Sequence, residues 1–301
     1  MLDTRIQEQE VVQSLDAPTW SLDGATVQRA LPSPQRHAVG PFILLDAFGP
    51  QRAGARGLDA LPHPHIGLIS VSYLLAGSIE HRDSLGNRIR LGRGDLGVTV
   101  AGRGVTRSAH DLATAGEEPA RGIEAWLALP SDLEECAPSF RSSRQTDLPV
   151  VGDASASARV VIGSFCGVSA PGTLSVDASL ADLSLAAGAQ FRVPPTWLEQ
   201  AILVVSGSVR VAGLDRDFHA GELAILRPGA EHILRSDDGA RAIIFGGAPL
   251  DSAPILYWNF ASRRSARIDQ AIGEWRRGLF PRIAGENGRA RLPTAQRHRE
   301  A

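Results

Sequence analysis

Residues 63–87 read HPHIGLISVSYLLAGSIEHRDSLGN, and residues 91–110 read LGRGDLGVTVAGRGVTRSAH. In both stretches, short apolar runs are separated by turns rich in Gly, Asn and Asp, at a spacing of about 8 to 12 residues. Helical periodicity is nearly absent from this half of the chain. The pattern predicts an all-β fold built from short strands.

The first stretch opens with a pair of histidines, His63 and His65. On a β-strand, side chains two residues apart point to the same face. Neutral imidazole is a common metal ligand, so the pair forms half of a metal site. The remaining donors are expected from a neighbouring strand.

An internal repeat extends the pattern to the second half of the chain. Residues 75–79 match residues 205–209, and the Gly-Asp-Leu at 94–96 matches the Gly-Glu-Leu at 221–223. Residues 104–108 then lie over residues 229–233, with Arg107 over His232. The repeat predicts two copies of one β-barrel in tandem.

The second copy lacks the histidine pair, because Val193 and Pro195 stand at the positions matching His63 and His65. We interpret His232 as a core or surface histidine rather than a ligand. After the second copy, residues 262–280 place Ile268, Ala271, Ile272 and Trp275 at helical spacing, which predicts an amphipathic helix.

Composition excludes several classes of function. The 301 residues carry a net charge of −2, so no global basic field favours nucleic acid or an anionic membrane. All 31 basic residues are arginines, which excludes Schiff-base and P-loop lysine chemistry. Two cysteines are too few for a disulfide framework, and no secretory signal or membrane span is visible. A cytoplasmic location is expected.

Five stretches resemble the pirin family, a branch of the cupin superfamily with two tandem barrels. They are VGPFILLDAFGP at 39–50, the two stretches quoted above, FGGAPL at 245–250, and WNFASRRSARIDQAIGEWRRGLFP at 258–281. The resemblance implies two double-stranded β-helix (jelly-roll) barrels and a C-terminal helix. The boundaries that we predict are 1–135 for the first barrel with its N-terminal arm, 136–149 for a linker, 150–260 for the second barrel, 261–285 for the helix that packs on the barrels, and 286–301 for a tail.

The resemblance also implies an iron site in the first barrel with four protein ligands. Two ligands correspond to His63 and His65, and the other two are a His and a Glu whose positions hold Arg107 and Ala109. An acidic residue that the family favours four positions after the second histidine is Ile69 here. Fe(II) or another divalent metal would therefore be bound weakly or not at all.

The charge of Arg107 argues in the same direction. At about 4 Å, like unit charges repel by roughly 4 kcal/mol at an effective dielectric of 20, and a divalent ion doubles the repulsion. A pocket formed by Arg107, His63 and His65 suits an anion or a polar ligand better. Two other histidines are candidates for completing a metal site: His81, on a neighbouring strand, and His110, which needs a β-bulge to face inward.

Two functions remain open from the sequence, beside a scaffold that binds no ligand. One is a non-catalytic protein that binds a small or anionic molecule in the first barrel, or a partner protein, in a regulatory role. The alternative, implied by the resemblance, is an iron-dependent quercetin 2,3-dioxygenase acting on flavonol-like substrates, a reaction that needs a metal with open positions.

Overall fold

The computed structural model describes residues 11–22, 25–49, 58–114 and 117–293. Short strands dominate, as the turn spacing predicts. The strands of the first half are β1 (Val11–Asp16), β2 (Thr19–Leu22), β3 (Ala25–Leu31), β4 (Phe42–Phe48), β5 (Asp59–His65), β6 (Leu68–Ala76), β7 (Ser78–Asp83), β8 (Arg88–Gly92), β9 (Leu96–Val100), β10 (Val105–Asp111), β11 (Arg121–Ala128) and β12 (Ser139–Ser143).

A 3-10 turn at Gln145–Asp147 leads into the second half. Its elements are β13 (Val150–Gly152), β14 (Ala156–Ile162), β15 (Ser164–Phe165), β16 (Val168–Ser169), β17 (Ala178–Leu185), β18 (Gln190–Val193), β19 (Glu199–Val211), β20 (Asp217–His219), β21 (Glu222–Leu226), β22 (His232–Arg235), β23 (Ala240–Gly247), β24 (Ile255–Tyr257), β25 (Phe260–Ser262) and the helix α1 (Ser265–Arg277).

Each half forms a sandwich of one large and one small antiparallel sheet, and the two halves have the same strand order. In the first unit the large sheet runs β12-β9-β6-β11-β4-β3-β2 and the small sheet runs β5-β10-β7-β8. In the second unit the large sheet runs β1-β21-β19-β23-β17-β14-β13, while β22 lies between β18 and the end of β19, which pairs with β20. The tandem jelly-roll prediction is confirmed, although hydrogen bonds do not close either unit into a continuous barrel across the described residues.

The edge strands of the large sheets come from outside the units that the sequence delimits. The strand β1 belongs to the N-terminal arm but pairs with β21 in the second unit. The strand β12 lies inside the predicted linker, residues 136–149, and pairs with β9 of the first unit. The two edges are equivalent in the two sheets, so each protects a sheet edge that would otherwise expose unpaired backbone groups.

Strand alternation divides the apolar residues into an inter-unit core and two unit interiors. Residues 69, 71, 73 and 75 of β6 pack in one cluster with residues 201 and 203 of β19, between the two large sheets. The opposite faces line the interiors. The second unit's interior is one continuous apolar cluster, whereas that of the first unit is split into two clusters.

The C-terminal helix forms where its spacing predicts, although it is shorter than the predicted 262–280. It ends because Gly278 adopts φ +71°, a left-handed conformation that glycine accepts without strain. Its buried face, which includes Ile268 and Trp275, packs with Ile66 of the first unit. No helix within the described ranges is long and apolar enough to cross a membrane.

Candidate functional site

The small sheet of the first unit brings the predicted site residues onto one inward face. The strand β5 pairs with β10 so that His63 lies opposite Arg107 and His65 lies opposite Val105. On its other side β10 pairs with β7, which places Ala109 opposite His81. The register therefore puts Arg107 and Ala109 beside the histidine pair, where the family resemblance implies the other two ligand positions.

The side chain of Arg107 crosses the interior and binds the large sheet opposite. Its Nη1 donates to the hydroxyl of Ser70 and, at 3.0 Å, to Oε1 of Glu124. Its Nη2 donates to the hydroxyl of Ser72 at 3.0 Å. The side chain of Arg107 is 5% exposed and that of Glu124 is 21% exposed, so this is a largely buried ion pair that joins the two sheets.

Glu124 is held by donors other than arginine as well. The hydroxyls of Ser70 and Ser72 each donate to its carboxylate at 2.5 Å, and the indole Nε1 of Trp126 donates at 3.1 Å. The β6–β11 register explains this geometry, because Ser70 pairs with Trp126 and Ser72 pairs with Glu124 on the inward face. Both hydroxyls thus donate to the carboxylate and accept from the guanidinium.

The two histidines are neutral at pH 7. Burial lowers the pKa of His63 to about 4, and the Arg107 guanidinium contributes to the same shift. Burial lowers the pKa of His65 as well, followed by the effects of His63 and Arg107. Nδ1 of His63 lies 2.7 Å from the carbonyl oxygen of Leu61, so its Nε2 carries the lone pair. Both ring nitrogens of His65 are buried without a hydrogen-bond partner in the described part of the chain.

Neither of the two histidines considered as replacement ligands completes a metal site. His81 lies on the inward face, but its ring stacks on Phe140 at 4.1 Å and its Nε2 lies 3.1 Å from the carboxylate of Asp83. His110 faces outward, with Nδ1 2.7 Å from Asp59 and Nε2 3.4 Å from Glu286. The β5–β10 ladder does shift its register between residues 107 and 109, but the shift does not turn His110 inward.

The residues present do not fit the iron centre that the family resemblance implies. Two imidazoles provide donors, yet the facing positions hold a guanidinium and a methyl group, and the carboxylate of Glu124 already accepts four hydrogen bonds. Among the residues that the structure describes, no group of three or more His, Cys, Asp or Glu side chains could hold a metal ion.

Sequence reasoning did not identify Ser70, Ser72 and Glu124, which complete the site. A signal was present, because Ser70 and Ser72 alternate within an otherwise apolar strand, LISVSYLLA. Two polar residues on one face of a fully buried strand need partners. The partner itself comes from a strand about fifty residues later, and the sequence alone does not place β11 beside β6.

The second unit shows what the same positions look like without this polar cluster. The pair His63–Arg107 corresponds to Val193–His232, which is the equivalent pair between β18 and β22. The pair Ser72–Glu124 corresponds to Ile202–Ile244, between β19 and β23. His232 is buried, and its Nε2 lies 3.1 Å from the carbonyl oxygen of Arg227.

Two family models match the chain, one in each unit. The model described as Pirin covers residues 24–127, and the Pirin C-terminal cupin domain covers residues 180–281. The chain belongs to the pirin family. A pirin-like protein of Caulobacter vibrioides is 31% identical over 87% of this chain and 92% of its own length.

Solved structures agree with this assignment. The crystal structure of a quercetin 2,3-dioxygenase from Acinetobacter baumannii has a TM-score of 0.87 and 26% identity, and the match covers 97% of each chain. A bacterial pirin from Escherichia coli in complex with nickel(II) has a TM-score of 0.61 over 78% of this chain, at 17% identity, and supports the fold alone.

Proposed function

We propose that this pirin-family chain is a non-catalytic, metal-independent bicupin protein, whose first unit binds a polar small molecule in a regulatory role. The observation that carries the proposal is the largely buried ion pair between Arg107, which lies beside His63 on the neighbouring strand, and Glu124 on the facing sheet. It puts a guanidinium, which has no lone pair to offer, beside the imidazoles and uses Glu124 as its partner, so only two imidazoles are left as donors for a divalent cation.

The charges of the site favour a neutral ligand over an anion. The positive charge of Arg107 is balanced by Glu124, and the lowered pKa values of His63 and His65 leave both rings neutral at pH 7. Arg107 therefore forms part of the wall of the predicted pocket and carries no free charge for a ligand. The groups left to hydrogen-bond a ligand are Nε2 of His63 and the ring nitrogens of His65. The predicted anionic ligand, partner protein and cytoplasmic location remain predictions.

Metal analysis tests the proposal directly. The purified chain, loaded anaerobically with one equivalent of Fe(II) and desalted, is expected to retain less than about one tenth of an equivalent, because two imidazoles are too few donors. Oxygen uptake with quercetin is expected at the background rate of free iron. Stoichiometric iron that survives desalting would contradict the proposal.

A double substitution should create the site that the chain lacks. Arg107→His with Ala109→Glu supplies the His and Glu that the resemblance implies, and a bound divalent metal also compensates Glu124. The double variant is expected to bind Ni²⁺ at one equivalent in calorimetry, with affinity at least about 100-fold above the unaltered chain. Each single substitution is the matched control, and adding His63→Ala to the double variant should remove the binding.

The second candidate is an iron-dependent quercetin 2,3-dioxygenase. The specific observation in its favour is the near-complete structural match to the Acinetobacter baumannii enzyme. Under this alternative, the unaltered chain would hold stoichiometric iron and consume oxygen with quercetin, and His63→Ala would abolish both. The two candidates therefore give opposite results in the same pair of assays.

A further inference from the structure

The polar cluster of the first unit has two separable parts, which belong to opposite sheets. One part is an arrangement of acceptors on the large sheet: the carboxylate of Glu124 and the hydroxyl oxygens of Ser70 and Ser72. The other part is the guanidinium of Arg107, which reaches the acceptors from β10 in the small sheet. The acceptors do not depend on Arg107 for their positions, because the serines and Trp126 already fix the carboxylate.

This arrangement matches a guanidinium better than a metal ion. Nη1 meets Ser70 and Glu124 while Nη2 meets Ser72, so the acceptors are spread along the edge of a planar fork. Each serine hydroxyl uses its proton on Glu124, which leaves only lone pairs for the guanidinium. A divalent ion would find one carboxylate and two hydroxyls there, which is a weak donor set for a transition metal.

We propose that Glu124, Ser70 and Ser72 form a guanidinium-binding site, which Arg107 of the same chain occupies permanently. The ligand class of this site is the alkylguanidinium ion, and the first unit uses an organic cation of its own to join its two sheets. The inference rests on one part of the proposed function, namely that the first unit works without a metal. It does not require any particular small-molecule ligand.

Chemical rescue of Arg107→Ala tests the site. This truncation removes the guanidinium and leaves a space next to the partly buried carboxylate of Glu124, so the melting temperature is expected to fall by about 6–10 °C. Methylguanidinium at up to about 20 mM, far below denaturing concentrations, should restore about 3–6 °C in a saturable manner, as a ligand that binds only the folded state does. Sodium chloride and methylammonium chloride at the same ionic strength should not.

Two matched variants make the rescue specific. Arg88→Ala removes an arginine whose side chain is 69% exposed and paired with Glu80, so no buried space is created and no rescue is expected. Adding Glu124→Gln to Arg107→Ala removes the charge that attracts the probe, so the rescue should disappear. A response of the same size in the unaltered chain, in Arg88→Ala or in the double variant overturns the proposal, as does no saturable response in Arg107→Ala.

A metal arm separates this inference from the proposed function. If Arg107→Ala binds one equivalent of Ni²⁺ but does not respond to methylguanidinium, the site is a metal site and the inference fails, while the metal analysis of the unaltered chain still stands. If Arg107→Ala does not fold, Arg107→Lys keeps the charge but cannot reproduce the planar fork. Its melting temperature should then be several degrees below that of the unaltered chain, and a difference within about 1 °C overturns the proposal.

Discussion

The interiors of the two units have the same topology but differ in chemistry. At the centre of the second, Ile202 and Ile244 lie side by side on adjacent strands and belong to a continuous apolar cluster. At the centre of the first, Ser72 and Glu124 take their places and bind Arg107. One backbone thus supports either an apolar interior or a buried ion pair, provided that every polar group on it finds a partner.

The largest effect is expected from placing the first unit's charge in the second. Ile244→Glu puts a carboxylate into an apolar cluster, and Ile202 and His232 stand at the positions of Ser72 and Arg107. Folding must therefore bury a charge, raise the pKa of the new group or pair it with His232. The expected loss is about 5 kcal/mol of unfolding free energy, or failure to fold. Denaturant unfolding measures it, and Ile244→Leu is the control. A loss below about 2 kcal/mol would mean that water or His232 compensates the new carboxylate.

Breaking the ion pair in the first unit comes next. Glu124→Ile leaves the guanidinium of Arg107 buried opposite an apolar side chain, and the expected loss is about 3–5 kcal/mol, because an uncompensated buried charge remains. Thermal and denaturant unfolding of the same variant measure it.

The triple variant Ser72→Ile, Arg107→Leu, Glu124→Ile is the decisive comparison for that loss. It gives the first unit the apolar pair of the second and removes both charges, but it leaves the hydroxyl of Ser70 and the indole Nε1 of Trp126 without their acceptor Glu124. Its stability should therefore lie above that of Glu124→Ile and about 2–3 kcal/mol below that of the unaltered chain. A triple variant less stable than Glu124→Ile would show that shape, rather than charge compensation, governs this interior.

Most of the fold could be read from the sequence, because its signals are local. Turn residues at regular spacing mark the strands, and the repeat of residues 75–79 at 205–209 reveals the second unit. The exchange of edge strands could not be predicted in this way. Nothing in the composition of Val11–Asp16 indicates that it pairs with Glu222–Leu226 rather than with the unit that it precedes in sequence.

The site was predictable only in part, for a related reason. The sequence places His63, His65 and Arg107 on adjacent strands and predicts that the metal site on that sheet is incomplete. It does not show that the guanidinium has hydrogen-bond partners, because those partners come from β6 and β11 on the facing sheet. The expected preference for an anion followed from considering Arg107 alone, and the contact with Glu124 changes the charge that a ligand meets.

The smallest effect concerns pH and separates the histidine pair from the ion pair. The pKa of His63 is about 4 in the folded chain against 6.5 for the free side chain, and that of His65 is lowered in the same direction. Between pH 6.5 and 4 the unfolded chain therefore binds more protons than the folded chain. Stability is fully present above pH 6.5 and falls as the pH drops toward 4, because unfolding then takes up protons. Since His63 is partly exposed, the fall is about 2 kcal/mol rather than the full value of its shift.

Unfolding free energies measured at pH 7 and pH 4.5 give the slope of stability against pH, and variants can assign this slope to the first unit. The variant His63→Gln with His65→Phe should lose most of the slope, since neither new side chain titrates and phenylalanine suits the packing of His65 against Trp126. His219→Gln, at an exposed position in the second unit, controls for the loss of a histidine as such. An unchanged slope in the double variant would place the acid sensitivity elsewhere. If the slope disappears while the pH 7 stability is kept, the charge state of the imidazoles accounts for the acid sensitivity, and the imidazoles are dispensable for the fold.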